Sequence, residues 1–149
     1  MNFRSLIYRI IPYLYCKKIS FDQLSKSESI HLYAGDIPYN KEYKQMVGLS
    51  LHQSNYNHIK HDVTEPLALS DNSVDSFQSE DVFEHIEYEK LTVVFNEIYR
   101  VLKPGGVFRL SLPDYRNEML INRSVKNENG NIIFDSGGGG VFENGRVKK

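Results

Sequence analysis

The sequence predicts an α/β fold with a mostly parallel sheet of about five strands, and three observations lead to this prediction. Short apolar segments separated by turn residues begin near Ser29. A longer segment with helical periodicity follows them, and a Lys-Pro-Gly-Gly sequence at residues 103–106 separates it from one further apolar segment. Strand patterns that alternate with a long helical pattern are typical of βαβ units, whose strands run parallel in one sheet.

Each predicted element has its own pattern. The strands are short apolar segments bounded by glycine, proline, aspartate or asparagine, and they cover residues 30–34, 47–51, 57–63, 74–79 and 107–112. The helix covers residues 88–102, because its apolar residues recur at spacings of three and four. We expect Pro104 and the two glycines after it to end this helix, since proline cannot continue the hydrogen-bond ladder and glycine accepts a C-terminal turn.

Composition limits the class of protein. The chain has 149 residues, 40% of them hydrophobic, which suits one globular domain. Its 18 basic and 19 acidic residues nearly cancel, so we expect a small-molecule ligand and not nucleic acid. The single cysteine, Cys16, excludes an internal disulfide and favours a reducing compartment, which predicts a cytoplasmic location.

The chain divides into three predicted regions. Residues 1–28 are expected to form an N-terminal capping helix region, residues 29–121 the α/β core, and residues 122–149 a Gly/Asn-rich loop or hairpin tail. Arg4, Arg9 and Pro12 interrupt the apolar N-terminal stretch, which is too short for the roughly 20 apolar residues of a membrane-spanning helix. A membrane-surface segment remains the alternative to a capping helix there.

A dense series of motifs lies between residues 61 and 114. It comprises His-Asp-Val at 61–63, Asp-Asn-Ser-Val-Asp at 71–75, Ser-Glu-Asp-Val-Phe-Glu-His-Ile at 79–86, Glu-Ile-Tyr-Arg-Val-Leu-Lys-Pro-Gly-Gly at 97–106 and Leu-Pro-Asp at 112–114. In order and spacing this series resembles the class I S-adenosylmethionine-dependent methyltransferases, particularly the small type 11-like branch found beside sugar and cell-envelope biosynthesis.

The resemblance implies a Rossmann-like, doubly wound sheet with strand order 3-2-1-4-5, and S-adenosylmethionine bound at the carboxyl ends of the strands. Class I methyltransferases usually add two more strands after the fifth, and we expect this chain to lack them, as a reduced or truncated domain. The fifth strand would then be an exposed sheet edge. A homodimer through that edge is one way to protect it.

The resemblance also assigns cofactor-binding positions, which lie at or just after the ends of the first four strands: Ala34, Gly35, Asp36, Ser50, Asp62, Val63 and Ser79. Asp62 corresponds to the acid that accepts a hydrogen bond from the adenine amino group, with Val63 against the ring. Ser79 corresponds to a position near the methionine part of the ligand.

Two positions depart from the family pattern. Tyr33 stands where the first glycine of the cofactor turn is expected, and its ring is predicted to fill space that the methionine chain needs. Ser50 stands where an acid normally binds both ribose hydroxyls. We hypothesise that Asp36, in the neighbouring turn, compensates for that missing acid.

Glu80 and His85 are the candidate catalytic bases, because they follow the fourth strand and a hydroxyl or amine acceptor requires proton removal. A packing or capping role is the alternative for His85. No metal site is expected, since strand alternation places His58 and His61 on opposite faces.

The predicted function is S-adenosylmethionine-dependent methyl transfer to a small-molecule, sugar or cell-envelope precursor acceptor. Tyr33 and Ser50 favour an alternative, a non-catalytic methyltransferase-fold module or partner subunit. A nucleotide-dependent oxidoreductase is disfavoured, because no Gly-x-Gly-x-x-Gly follows the first strand.

Overall fold

The computed structural model describes residues 18–114, 116–135, 140–143 and 146–148. Most of the predicted N-terminal capping region, including Cys16, lies outside the described residues. The elements of the core, in chain order, are α1 (Phe21–Leu24), β1 (His31–Ala34), β2 (Val47–Ser50), β3 (His58–Lys60), β4 (Val74–Glu80), α2 (Tyr88–Val101) and β5 (Leu102–Ser111), with 3-10 turns at Lys41–Tyr43 and Phe83–His85.

The first five strands form one parallel sheet in the order β3-β2-β1-β4-β5. This confirms the predicted strand order and the Rossmann-like architecture. The chain moves outward from β1 in both directions, so the order reverses between β1 and β4. In open parallel sheets, such a reversal opens a crevice at the carboxyl ends of the strands.

The fifth strand begins earlier than predicted. It starts at Leu102, which pairs with Val74, and not at residue 107. Pro104 and Gly105 lie in an irregularity of the ladder, where Gly105 has a φ of +80° that favours glycine. The helix does end before these residues, as predicted. The third strand is shorter than predicted, because only His58–Lys60 pair with β2.

The two faces of the sheet differ in polarity. Cross-strand register aligns Leu32, Phe77 and Phe108 on one face, where α2 packs. The helix buries Val94, Ile98 and Val101, and burial of each such side chain contributes about 1.5–3 kcal/mol. Phe108 contacts three aromatic rings, at centroid distances of 5.9 Å to Phe77, 5.8 Å to Phe83 and 6.0 Å to Phe95.

The opposite face is polar, because register aligns Tyr33, Gln78 and Arg109 there. The connection from β1 to β2, residues 35–46, would conventionally be helical, yet it contains only the 3-10 turn at Lys41–Tyr43. Tyr33 and Gln78 are nevertheless buried, with exposed fractions of 3% and 9%.

An ion-pair network connects α2 to the segment between β3 and β4. The backbone N–H of Leu67 donates to Glu97 Oε1 at 2.7 Å. Arg100 donates to Glu97, to Asp71 Oδ1 at 2.7 Å and to the carbonyl oxygens of Leu67 and Leu69 at 3.1 and 2.9 Å. Hydrogen bonding from Arg100 lowers the pKa of Glu97. The network therefore holds this segment against the helix.

Helix α3 (Glu118–Arg123) crosses the predicted boundary between the core and the tail at residue 122. The tail contains strands β6 (Val125–Lys126), β7 (Ile132–Asp135), β8 (Gly140–Glu143) and β9 (Arg146–Lys148). These strands form a separate antiparallel sheet in sequential order. Within the described residues, no helix is long and apolar enough to cross a membrane.

We predict that Arg100→Lys destabilises the domain by about 1–3 kcal/mol, because one ammonium group cannot reproduce the fork that reaches two carbonyls and two carboxylates. Urea denaturation measures the change. Arg116→Lys is the matched control, since the Arg116 side chain is 91% exposed and pairs only at the surface. Equal stabilities of the two variants would refute the role assigned to Arg100.

Candidate cofactor site

A cavity of about 430 Å³ opens at the carboxyl ends of β1, β2 and β3, within the size range of small-molecule sites. Its lining combines apolar side chains with carboxylates and imidazoles: Gly35, Asp36, Leu49, Ser50, Leu51, His52, His61, Asp62, Val63, Thr64, Val82, His85, Ile86, Glu87 and Lys90. The cavity lies at the crevice that the reversal of strand order creates.

The cavity brings together most of the predicted site residues. Six of them line it: Gly35, Asp36, Ser50, Asp62, Val63 and His85. Ala34 and Ser79 are fully buried in neighbouring strands and do not line it. The Ser79 hydroxyl has no hydrogen-bond partner within the part of the chain that the structure describes. Glu80 lies outside the lining.

The turn after β1 requires glycine at position 35. Gly35 has a φ of +98°, and a Cβ there would lie 3.1 Å from Val82 Cγ2. The Gly35 N–H also donates to the Leu49 carbonyl at 2.8 Å, which ties the turn to β2. Positive φ strains any other residue at this position, and Val82 would also have to move by a few tenths of an ångström to admit a Cβ. Asp36 follows directly and lines the cavity.

Asp36, which follows β1, lies beside Ser50, the last residue of β2. Hydrogen bonds from the Ser50 and Gln53 side chains lower the pKa of Asp36. The Ser50 hydroxyl in turn accepts hydrogen bonds from the backbone N–H groups of His52 at 3.1 Å and Gln53 at 2.8 Å. A carboxylate is therefore present beside position 50, supplied by the turn after β1.

Asp62 accepts hydrogen bonds from the protein through one oxygen and has the other available to a ligand. The backbone N–H and the hydroxyl of Thr64 both donate to Asp62 Oδ1 at 2.9 Å, and the backbone bond is the main cause of a lowered pKa. The hydrogen bonds found within the described residues leave Oδ2 free to accept from a bound donor. Lys90, across the cavity lining, adds to the stabilisation of the carboxylate.

Several lining residues were missed by sequence reasoning. Leu51, Thr64, Val82, Ile86 and Lys90 belong to loops or to the start of α2, and their positions depend on how these segments fold over the sheet. The sequence carried one usable signal: Asp62 and Thr64 form the two-residue spacing of an Asx turn.

Glu80, the last residue of β4, is the centre of a polar cluster outside the cavity lining. It accepts hydrogen bonds from Gln78 Nε2 at 2.8 Å, from the Tyr43 hydroxyl at 3.1 and 3.2 Å and from the Tyr33 hydroxyl at 3.4 Å. Arg109 forms an ion pair with it. Burial alone would raise the pKa of Glu80, but the hydrogen bonds from Arg109, Gln78 and Tyr43 more than offset this and lower it.

Tyr33 belongs to this cluster and is not among the residues that line the cavity. Its ring packs edge-to-face against Tyr43 with centroids 5.6 Å apart. Burial raises the pKa of the Tyr33 phenol to about 12, and the charge of Glu80 adds to this effect. The phenol therefore stays protonated at neutral pH and acts as a hydrogen-bond donor.

We predict that Glu80→Gln lowers the free energy of unfolding by about 1–3 kcal/mol at pH 7, because an uncharged amide leaves Arg109 and a tyrosine hydroxyl poorly paired. Since the pKa of Glu80 in the folded protein lies below the ordinary 4.5, the wild-type advantage is complete above that pH and declines as the pH falls further. Thermal unfolding at pH 7 and pH 3 measures both effects.

The control for this prediction is Glu65→Gln, at an exposed position. It should leave the stability within about 0.5 kcal/mol of wild type. If wild type and Glu80→Gln differed in stability by the same amount at pH 7 and at pH 3, the ionised form of Glu80 would not be the cause of the difference.

Comparison with known proteins agrees with the fold. A family model described as a methyltransferase domain matches residues 22–110, which is more than half of the chain and covers β1 to β5 almost completely. No match was found among curated proteins. The matched range, the parallel sheet in the order β3-β2-β1-β4-β5 and the crevice at its carboxyl edge agree with one another. The chain therefore belongs to the methyltransferase domain family, of the class I S-adenosylmethionine-dependent type.

Proposed function

We propose that the chain binds S-adenosylmethionine in this cavity and transfers its methyl group to a small-molecule acceptor such as a sugar or a cell-envelope precursor. The main support for the proposal is that one cavity is lined by the Gly35 turn, the Asp36–Ser50 pair and Asp62. The family match supports S-adenosylmethionine as the cofactor. The acceptor class follows from the sequence resemblance.

Each polar group of the cavity suits one part of the cofactor. Asp62 Oδ2 is proposed to accept from the adenine amino group, with Val63 against the ring. Asp36 is proposed to accept from the ribose hydroxyls, in place of the acid that Ser50 replaces. Both carboxylates have lowered pKa values and are ionised at neutral pH, so their hydrogen bonds to a ligand are charge-assisted.

The bound cofactor supplies an electrophilic methyl group, so the protein contributes positioning and, for a hydroxyl or amine acceptor, a base. His85 lines the cavity and is proposed as that base. Glu80 has both oxygens engaged with the Tyr33, Tyr43, Gln78 and Arg109 side chains. Glu80 could remove a proton from the methyl-accepting substrate only after giving up one of these hydrogen bonds. His85 is therefore the favoured base.

The Tyr33–Glu80 cluster supports a second candidate function. Tyr33 stands where the family pattern has glycine, and it is held in a polar cluster at the ends of β1 and β4. Such a replacement is expected in a scaffold that no longer performs methyl transfer. The alternative proposal is therefore a non-catalytic module or partner subunit with the methyltransferase fold.

Calorimetric titration with S-adenosylhomocysteine and S-adenosylmethionine tests the proposal. We expect wild type to bind both ligands, and Asp62→Ala to bind roughly ten- to a hundredfold more weakly, because a hydrogen bond to a charged group contributes about 1.5–3 kcal/mol. Asp22→Ala, an exposed position on α1, is the matched control and should bind as wild type. Equal affinities of the two variants would rule out the adenine role of Asp62.

Tyr33→Gly separates the two candidate functions. If the wild-type chain binds neither ligand and Tyr33→Gly binds both, Tyr33 blocks a cofactor site that the fold still provides. This result would support the alternative of a non-catalytic module. If wild type binds and Tyr33→Gly changes little, the cluster does not obstruct the site and methyl transfer remains the proposed function.

The ribose role of Asp36 makes a separate prediction. Asp36→Asn removes the charge but keeps the size, and should weaken S-adenosylhomocysteine binding by about tenfold or more. Asp114→Asn, an exposed aspartate paired with Arg116, provides the matched control. Unchanged affinity in Asp36→Asn would show that the acid missing at position 50 is not replaced from the β1 turn.

A further inference from the structure

His58 occupies an unusual position at the start of β3. It is only 5% exposed, and its ring lies directly over Gly48 of β2. A Cβ on Gly48 would lie 2.4 Å from His58 Cδ2 and 2.8 Å from Nε2, distances too short for real atoms. The imidazole therefore fills the space that a side chain at position 48 would need, and the packing allows it little freedom.

The hydrogen bonds of His58 fix its protonation state. Nε2 lies 3.0 Å from the backbone nitrogen of Ile37, which can only donate, so Nε2 must accept. Nδ1 lies 2.9 Å from Asn57 Oδ1 and 3.2 Å from Asn55 Oδ1 and carries the proton toward these oxygens. Only the neutral imidazole with its proton on Nδ1 satisfies all three contacts.

These contacts lead to the cavity. Ile37 directly follows Asp36, and Gly35 at the other end of the turn donates to the Leu49 carbonyl. The turn is thus held from both sides: by β2 at Gly35 and by His58 at Ile37. His58 does not itself line the cavity, so any effect on a ligand there acts through the turn.

We infer that His58 is a positioning residue for the cofactor turn, and that its neutral form is required to hold Asp36 in place. This inference rests on the proposed function in that the ligand is taken to be S-adenosylmethionine. Protonation would put an Nε2–H against the Ile37 N–H, two donors face to face, and the turn would lose its anchor.

Several charged and titratable groups lie around His58. On the β1–β2 connection these are Asp36, Lys41, Tyr43 and Lys44, and on the β2–β3 connection His52 and Tyr56. Burial lowers the pKa of His58 below its ordinary 6.5, and the charge of Asp36 opposes this only in part. The hydrogen bond from the Ile37 N–H to His58 is therefore fully formed above about pH 6.5, and it is lost as the pH falls through the pKa of His58 in the folded protein.

The test compares S-adenosylhomocysteine affinity at pH 8 and pH 5 in three chains. We expect wild type to weaken by roughly three- to tenfold, the equivalent of one lost hydrogen bond. His58→Gln keeps an acceptor oxygen for Ile37 but cannot gain a proton in this range, so its affinity at pH 8 should be close to wild type and should fall less at pH 5. His58→Leu fills the space without an acceptor and should bind weakly at both pH values.

Other histidines are controlled in the same experiment. His52 and His61 line the cavity and are present in both wild type and His58→Gln, so the ratio of the two pH profiles isolates His58. His31→Gln lies at the opposite end of β1 and should reproduce the wild-type profile. A His58→Gln profile that matches wild type, or a His58→Leu chain of wild-type affinity, would overturn the inference.

A readout without ligand keeps this inference separate from the proposed function. Nitrogen NMR of the free chain should show the Nδ1-protonated tautomer of His58, and amide exchange should show Ile37 protected in wild type and in His58→Gln but exposed in His58→Leu. If wild type binds no cofactor yet these signals are as expected, the proposed function fails and the anchoring role stands. If His58 is protonated on Nε2, the anchoring role fails whatever the chain binds.

Discussion

The central position of β1 is the constraint on which the rest of the structure depends. This strand pairs in parallel with β2 on one side and with β4 on the other. Because these strands run parallel, the carboxyl ends of β1 to β4 lie at one edge of the sheet, and the reversal of strand order opens a crevice there. The cavity, the Asp36–Ser50 pair and the Glu80 cluster all lie at that edge. A strand of four residues thus determines where the chemistry of the molecule is located.

The motifs that carry the family resemblance serve mainly the scaffold. Asp75 accepts from Lys103 Nζ at 2.7 Å and from the backbone N–H of Ile30 at 2.8 Å, and Lys103 is the main cause of a pKa near 2 for Asp75. These bonds join the starts of β1, β4 and β5. Glu97 and Arg100 likewise attach the β3–β4 connection to α2. Sequence similarity in this region therefore reports the fold more directly than the ligand.

The carboxylates at this edge of the sheet are stabilised in two different ways. On the cavity side, Asp36 and Asp62 are stabilised by neutral donors from serine, glutamine and threonine, which leaves their charge available to a ligand. Outside the cavity, the charge of Glu80 is met by Arg109 and two phenols. A carboxylate held this way stabilises the ends of β1, β4 and β5 but is a poor base.

The sequence by itself predicted the parallel sheet and the end of α2, because hydrophobic periodicity and the Pro-Gly break at residues 104–106 are local signals, and its resemblance to the class I methyltransferases implied the strand order. It also indicated Gly35, Asp36, Ser50, Asp62, Val63 and His85, which the cavity unites. Only the tertiary structure decided that Glu80 lies outside the cavity among two tyrosines and an arginine, and that His58 supports the cofactor turn. These contacts join residues 20 or more positions apart on different strands and loops. The hydrophobic periodicity of a single segment cannot predict such long-range contacts.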